Sequence, residues 1–415
     1  MDTTALTPAH ILNIFIRHPI YDILFACLSP ASLARLNRVN RLTRDAVQDF
    51  SSRAFNINKC LSRFFSNPVA FRSVQARTAC VISGSLALQF LDRSFYPKSD
   101  LDLYVEHATS VRDLGVFLLG DGYVFSPNSQ QPEDFQEAWE TCWSGMALTA
   151  NDTGPVDATH RTFYPDLPTF DVFAFIRPEN KHQPKEMVQM ILTKQNPVAS
   201  CVMNIITYDS AVSFYPYATF EERIALARTD LTKRHGPALR KYAERGWKVL
   251  ANPTPLIASS SSDHGHRHFF PNVTRWMDDD KTWFIHLDTT DVERPPMLSP
   301  SSAPLRRDPA LLCSWYLDRE QVGPQETDVC RHIMTYFHAR SSILKYTYTV
   351  ADKTFFSILC DFFRSQGALE HMKMPQEEFT RERQMHGSWT WWDSEIEFLR
   401  DRYLDTLRDP DRMQL

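Results

Sequence analysis

Two stretches of the chain decide its fold: CVISGSLAL from Cys80 to Leu88, and SDLDLYV from Ser99 to Val105. The first stretch has apolar residues on both sides of a Gly-Ser pair. This pattern predicts a strand, a tight turn at Gly84 and then a helix. The second predicts a strand that carries Asp100 and Asp102. Because side chains two residues apart on a strand project from one face, the two carboxylates are expected to lie together.

The residue types at these positions suit phosphate and metal binding. Gly84 lacks a Cβ, so backbone can approach a phosphate closely. Ser85 adds a hydroxyl donor, and the helix that begins there directs its free amides at the same anion. Asp100 and Asp102 are the ligand type that Mg²⁺ takes from proteins, with substrate phosphates and water completing its shell. An alternative is a purely structural turn, which explains Gly84 but gives no reason for a second carboxylate within an apolar strand.

A Gly-Ser pair followed at this distance by Asp-x-Asp within apolar residues resembles the signature of the nucleotidyltransferase superfamily, which has the DNA polymerase beta-like fold. The resemblance implies an α+β protein with a mixed-sheet core. It implies that Gly84 and Ser85 bind a nucleoside triphosphate and that Asp100 and Asp102 bind Mg²⁺. Two such ions activate the attacking hydroxyl and stabilise the leaving pyrophosphate. The sequence names neither the acceptor nor the base.

An active member of that superfamily adds a third carboxylate from a later neighbouring strand, and two positions compete for it here. Asp171 is flanked by apolar strand residues and completes a predicted catalytic set with Asp100 and Asp102. Gln189 matches equally well by order of elements, but a neutral amide does not neutralise two Mg²⁺ ions. The sequence therefore leaves open whether the chain is an enzyme or a catalytically degenerate binding protein.

Farther along the chain, the segments 197–207 and 215–223 look like a set of uncharacterised fungal proteins that carry the same core. Residues 198–207 predict an apolar helix, and two more helices are predicted at 220–227 and 237–242. Strands are predicted at 79–83, 101–105, 169–176, 187–193 and 282–287.

The N-terminal segment resembles a second family. Residues 8–50 show apolar residues at helical spacing, with Ser29 as N-cap and Pro30 as the first residue of a helix. The stretch LSPASLARLNRVNR from Leu28 to Arg41 is similar to the F-box, a small helical module. This resemblance implies that residues 8–50 bind a ubiquitin-ligase adaptor; the alternative is a helical packing cap without a partner. Four residues are expected to face mostly inward: Leu28, Leu33, Leu36 and Val39.

The length of 415 residues predicts two or three domains. We expect an F-box-like helical module at 1–60, a nucleotidyltransferase-like domain at 61–250, an irregular connection with a short strand at 251–309 and a mainly helical region at 310–415. Eight cysteines without paired spacing, and apolar runs too short for a membrane span, predict an intracellular protein, cytoplasmic or nuclear, with no membrane partner.

The net charge of −5 gives no overall attraction to nucleic acid. A local basic cluster after the predicted core could hold nucleotide or RNA phosphates, but a solvated helix face is the favoured interpretation. The cluster consists of Lys233, Arg234, Arg240, Lys241, Arg245 and Lys248.

Overall fold

The computed structural model describes residues 14–97, 99–106, 108–149, 171–179, 185–192, 203–227, 236–250, 266–295, 297–298, 302–321, 330–373 and 389–408. Its helices are α1 His18–Ala26, α2 Pro30–Leu36, α3 Arg41–Ala54, α4 Ile57–Leu61, α5 Pro68–Thr78, α6 Gly84–Asp92, α7 Ala108–Gly120, α8 Phe135–Thr149, α9 Gly236–Glu244, α10 His266–Phe269, α11 Lys353–His371 and α12 Asp393–Arg408. Among the described residues, no helix combines the length and apolar character that a membrane span requires.

The strands are β1 Val81–Ser83, β2 Leu101–Val105, β3 Val124–Ser126, β4 Asp171–Arg177, β5 Glu186–Leu192, β6 Asn204–Ile206, β7 Ser210–Ser213, β8 Ile224–Leu226, β9 Lys248–Leu250, β10 Thr274–Trp276, β11 Trp283–His286, β12 Ser314–Gln321, β13 Cys330–Thr335, β14 Phe337–Ala339 and β15 Tyr348–Val350. The largest sheet has eight strands in the order β11-β7-β6-β1-β2-β5-β4-β3. Its β2–β5 pair is parallel and β1–β2 is antiparallel. The predicted α+β class with a mixed sheet is confirmed.

The two faces of this sheet are covered differently. On one face, alternate residues such as Ile82, Leu103 and Met190 are fully buried against α5, α6, α7 and α8. On the other face, Val212 belongs to a second core with Trp315 of the three-stranded sheet β10-β12-β13. The residues of β2, β5 and β4 that point to this second face are half-buried. Asp102 belongs to that half-buried row, so the acidic pair opens onto the less covered face.

The N-terminal helices α1, α2 and α3 form a three-helix unit within the segment predicted to be helical, of which residues 8–13 lie outside the described part. Ser29 caps α2 by accepting a hydrogen bond from the Ser32 amide at 3.3 Å, and Pro30 is its first residue. Leu33 is buried and Leu28 and Leu36 are partly buried against the unit's core. The expectation that Val39 faces inward is wrong, since 66% of its surface is exposed. Val39 lies in the turn after α2, where the helical spacing that predicted its direction no longer applies.

Two side chains of the sheet domain hold this unit at its helix ends. Arg93 donates a hydrogen bond to the Phe25 carbonyl near the end of α1, at 2.9 Å. Glu221 accepts from the Ala31 amide in the first turn of α2, at 3.0 Å, and from the Ser29 hydroxyl at 2.7 Å. Cations stabilise helix C-termini and anions stabilise helix N-termini, so both contacts have the favourable polarity.

The prediction of a mainly helical region at 310–415 is wrong for its first part. Residues 314–350 supply the four strands β12, β13, β14 and β15, and the helical prediction holds for α11 and α12. The physical reason is a periodicity of two: Tyr346, Tyr348 and Val350 are buried while the residues between them are half-buried. Aromatic and β-branched residues pack well on such a pleated surface.

Two further helix predictions are also wrong. Of the predicted helix at 198–207, residues 198–202 lie outside the described part, and Asn204–Ile206 is the strand β6. It is buried on both faces between β1 and β7, which explains an apolar run without alternation. The predicted helix at 220–227 is a π-helical turn, Tyr217–Glu221, followed by β8. By contrast, α9 and β11 lie where a helix and a strand were predicted.

Candidate functional site

The turn between β1 and α6 brings Gly84 against Asp102. Gly84 has a φ of +68°, and a Cβ added there would lie 2.3 Å from Asp102 Oδ2. That distance is far inside van der Waals contact, and the positive φ is a conformation that L side chains rarely adopt. Glycine is therefore required at this position on two independent grounds. The expected proximity of the glycine turn and the acidic pair is observed.

The first turn of α6 lacks a side-chain cap. Ser83 occupies the N-cap position with extended backbone, but its side chain makes no capping hydrogen bond. Its hydroxyl donates instead to the Asn204 carbonyl on β6, at 2.8 Å. The first amides of a helix have no partner within the helix, so these are available to an anion. Ser85 follows the glycine in this first turn and is buried.

The acidic pair lies where β2 passes this turn. Asp102 is in register with Ser83 of β1 on one side and with Gln189 of β5 on the other, and Asp100 directly precedes the strand. No described residue donates a hydrogen bond to either carboxylate. Both residues are half-buried and their oxygens are not among the fully buried atoms without a partner, so the pair is open to water or to a cation.

The electrostatics of the pair follow from burial and from neighbouring charges. The pKa of Asp102 is raised to about 7, chiefly by burial and then by the charge of Asp100, while Lys241 opposes the rise. The Asp102 residue as a whole is only half-buried, yet its carboxylate is surrounded by enough protein to be desolvated. Burial also raises the pKa of Asp100, against the lowering effect of Lys241 and then Arg63. Two carboxylates this close resist being ionised together without a cation.

The rim beside Asp100 is built from a loop and a helix. Gln89 fixes the loop, because its amide donates to the Ser99 hydroxyl at 2.8 Å and its carbonyl accepts from the Tyr96 amide at 2.6 Å. Arg245, the residue that follows α9, stacks on the Tyr96 ring, with its guanidinium carbon 3.9 Å from the centroid. Lys241 lies four residues earlier, on α9 itself. The basic cluster predicted from sequence therefore reaches the site through α9.

Arg63 is a rim residue that the sequence did not indicate. It forms an ion pair with Glu186 at 2.9 Å and donates to the Ser99 carbonyl at 2.9 Å, immediately before Asp100. Its partners lie 36 and 123 residues away in the chain. No local pattern marks such a contact, so only the folded structure could reveal it.

The structure brings Gln189, and not Asp171, beside the acidic pair. Gln189 pairs with Asp102 on one side and with Ala174 of β4 on the other. Position 171 pairs with Leu192, three residues along from Ala174, which is roughly 10 Å at the rise of a strand. Among the described residues, no group of three or more His, Cys, Asp or Glu side chains is arranged to hold a metal ion.

Neither a protein-family model, nor a curated protein, nor a solved structure matches this chain. The case for a function therefore depends on the geometry of the site.

Proposed function

We propose that this chain is a nucleotidyltransferase-like protein that binds a nucleoside triphosphate together with Mg²⁺ at the turn between β1 and α6. The observation that supports this most directly is the contact of Gly84 with Asp102. It places an uncapped helix N-terminus, suited to phosphate, against a carboxylate pair without hydrogen-bond donors, suited to a cation. A metal-bound polyphosphate satisfies both requirements at once.

Each residue has a defined role in this proposal. The first amides of α6 and the Ser85 hydroxyl would bind phosphate oxygens. Asp100 and Asp102 would hold the cation, which when bound neutralises phosphate charge and polarises the phosphoryl group. The charge of Lys241 lowers the pKa of both carboxylates, and this side chain would lie on the phosphate side of the rim. In the superfamily that this site resembles, such an arrangement serves the transfer of a nucleotidyl group to an acceptor.

Thermal melting with ATP or GTP, with and without Mg²⁺, tests the binding proposal. A ligand at 100 times its dissociation constant stabilises the native state by about 2.7 kcal/mol. We expect the parent to gain melting temperature only when triphosphate and Mg²⁺ are present together. The double variant Asp100→Asn and Asp102→Asn should lose that gain, while Asp45→Asn, a change of an exposed carboxylate on α3, should keep it. A parent without any gain at millimolar ligand would contradict the proposal.

A second candidate function is supported by α1, which is apolar on two sides. Tyr21 and Phe25 face the core of the three-helix unit, while Ile20, Ile23 and Leu24 are 40%, 71% and 46% exposed. A helix that is apolar all round is ordinarily buried. This favours an F-box-like unit that binds a ubiquitin-ligase adaptor, with the sheet domain as a catalytically degenerate recognition domain.

The charges around the exposed face of α1 indicate the kind of surface that would cover it. The other two helices of the unit and the turn between them carry four exposed arginines: Arg35, Arg38, Arg41 and Arg44. An acidic protein surface with apolar side chains would complement them. A pull-down of the full chain with the adaptor should succeed and should be abolished by the double change Ile23→Ser and Leu24→Ser. Failure of the unaltered chain to bind leaves the packing-cap interpretation.

A further inference from the structure

Three positions in register across the central sheet decide which charged side chains lie beside Asp102; we call them the Asp102 row. Across β2, β5 and β4, the positions in register are Asp102, Gln189 and Ala174. Residues in register on neighbouring strands share a face, and their Cβ atoms are about 4.5–5.5 Å apart. The position beside Asp102 therefore holds a neutral carboxamide, and the next position has no polar side chain.

We propose that Gln189 limits this site to a single divalent cation, so that the chain retains a nucleoside triphosphate instead of transferring part of it. This inference rests on the proposed nucleotide-binding function and concerns the number of ions and the fate of the nucleotide. It makes the chain a triphosphate-binding protein whose bound nucleotide serves as a ligand.

The charges of the described residues support a single ion. Asp100 and Asp102 together supply two negative charges, which one divalent cation balances. Asp100 or Asp102 could bridge two ions, but the charge of a second ion would need a further carboxylate, and the neutral Gln189 occupies the neighbouring position in register. Mg²⁺ is usually bound through carboxylates and phosphates, and an amide oxygen offers it no net charge.

The surroundings also disfavour a second ion. Lys241 is already close enough to influence both carboxylates, which reduces the negative potential that would attract one. Two other carboxylate residues lie on the neighbouring strands: position 171 pairs with Leu192, three residues from Gln189, and Glu186 is ion-paired with Arg63 at 2.9 Å. With one ion, the phosphates are held, but the attacking hydroxyl of an acceptor lacks a metal that would lower its pKa. Without that second metal the transfer step is not activated, so the nucleotide stays bound.

Counting bound Mn²⁺, which replaces Mg²⁺ and is visible by electron paramagnetic resonance, tests this inference. The full chain is saturated with a triphosphate analogue that has a methylene group between its α and β phosphorus atoms, and free Mn²⁺ is measured during titration. We expect one Mn²⁺ per chain for the parent and for Gln189→Asn, which keeps a neutral amide. Gln189→Glu, which keeps the size and adds the charge, should bind a second Mn²⁺ with spin coupling to the first.

The outcomes separate this inference from the function on which it rests. Two coupled ions in the parent would overturn the inference and leave nucleotide binding intact. No Mn²⁺ bound with the analogue would overturn the proposed function and the inference with it. If Gln189→Glu melts well below the parent, Ala174→Asp places a carboxylate in the same row at the next strand. A single ion in a folded, analogue-binding carboxylate variant would show that Gln189 does not set the count.

Discussion

Replacing Gly84 with alanine tests the central contact of the site. The substitution carries two separable costs. A φ of +68° in a residue with a Cβ costs about 1–2 kcal/mol. The new Cβ would also lie 2.3 Å from Asp102 Oδ2, and overpacking of this kind typically costs about 1–3 kcal/mol. We therefore expect Gly84→Ala to lower the free energy of unfolding by about 2–5 kcal/mol.

Gly122 provides a matched control for the backbone cost. It has a φ of +84°, but a Cβ added there would meet no atom within 4 Å. Gly122→Ala should therefore cost only about 1–2 kcal/mol. The difference between the two alanine variants is the steric cost of the contact with Asp102. For a unit of 150–250 residues it corresponds to about 2–12 °C in Tm.

A double-mutant cycle assigns this difference to the carboxylate. Asp102→Ala removes the oxygen that the new Cβ would strike, so Gly84→Ala should cost no more than Gly122→Ala in that background. Asp102→Asn keeps an atom at the same place, so the full cost should persist. Tm values from scanning calorimetry, taken in metal-free buffer, give the coupling. The predicted contact would be refuted if the two glycine-to-alanine changes lowered the free energy of unfolding equally. It would also be refuted if the cost of Gly84→Ala were the same whichever residue stood at position 102.

Three further predictions concern other parts of the chain. Burial raises the pKa of Glu106 from 4.5 to about 7, so Tm should fall as pH rises through this range and level off above it. Glu106→Gln, which can still accept the Thr347 amide hydrogen bond seen at 2.7 Å, should lessen that fall; an unchanged profile between pH 5 and 8 would argue against the raised pKa. Leu24→Ser should leave Tm within about 2 °C of the parent, whereas Phe25→Ala, at 1% exposure, should cost about 3–5 kcal/mol. Arg93→Ala removes the donor to the Phe25 carbonyl and should speed proteolytic release of the N-terminal helices; equal rates would show that this contact does not hold them.

The sequence predicted the parts of the site that depend on local geometry. Gly84 and Asp102 are joined by one helix and one return to the neighbouring strand, so their contact follows from a short segment of chain. Strand periodicity predicted that Asp100 and Asp102 share a face; in the structure Asp102 lies within β2 and Asp100 directly precedes it. Which residue takes the place of the third carboxylate depends on the register of β5 with β2 and of β4 with β5. A shift of one residue moves a side chain to the opposite face, and no local pattern determines that shift.

The errors in secondary structure have a similar physical origin. The segment that forms β6 is apolar throughout because it is covered on both faces, and such a run does not distinguish a buried helix from a buried strand. In the region after residue 310, the alternation is carried by tyrosines, whose ambiguous polarity weakens the pattern. Tyr346 and Tyr348 are nonetheless buried, at 6% and 0% exposure. Tertiary contacts decided both cases.

The edge strand β11 has a consequence for the order in which the chain folds during synthesis. It pairs along its length with β7, and its Trp283 packs on Phe55 and Phe220, from distant parts of the chain. Until residue 286 has left the ribosome, β7 remains an edge with an unpaired row of backbone amides and carbonyls. Such edges recruit strands from other chains. A nascent chain paused at residue 250, or a fragment that ends there, should therefore be prone to aggregation until the segment that carries β11 is added.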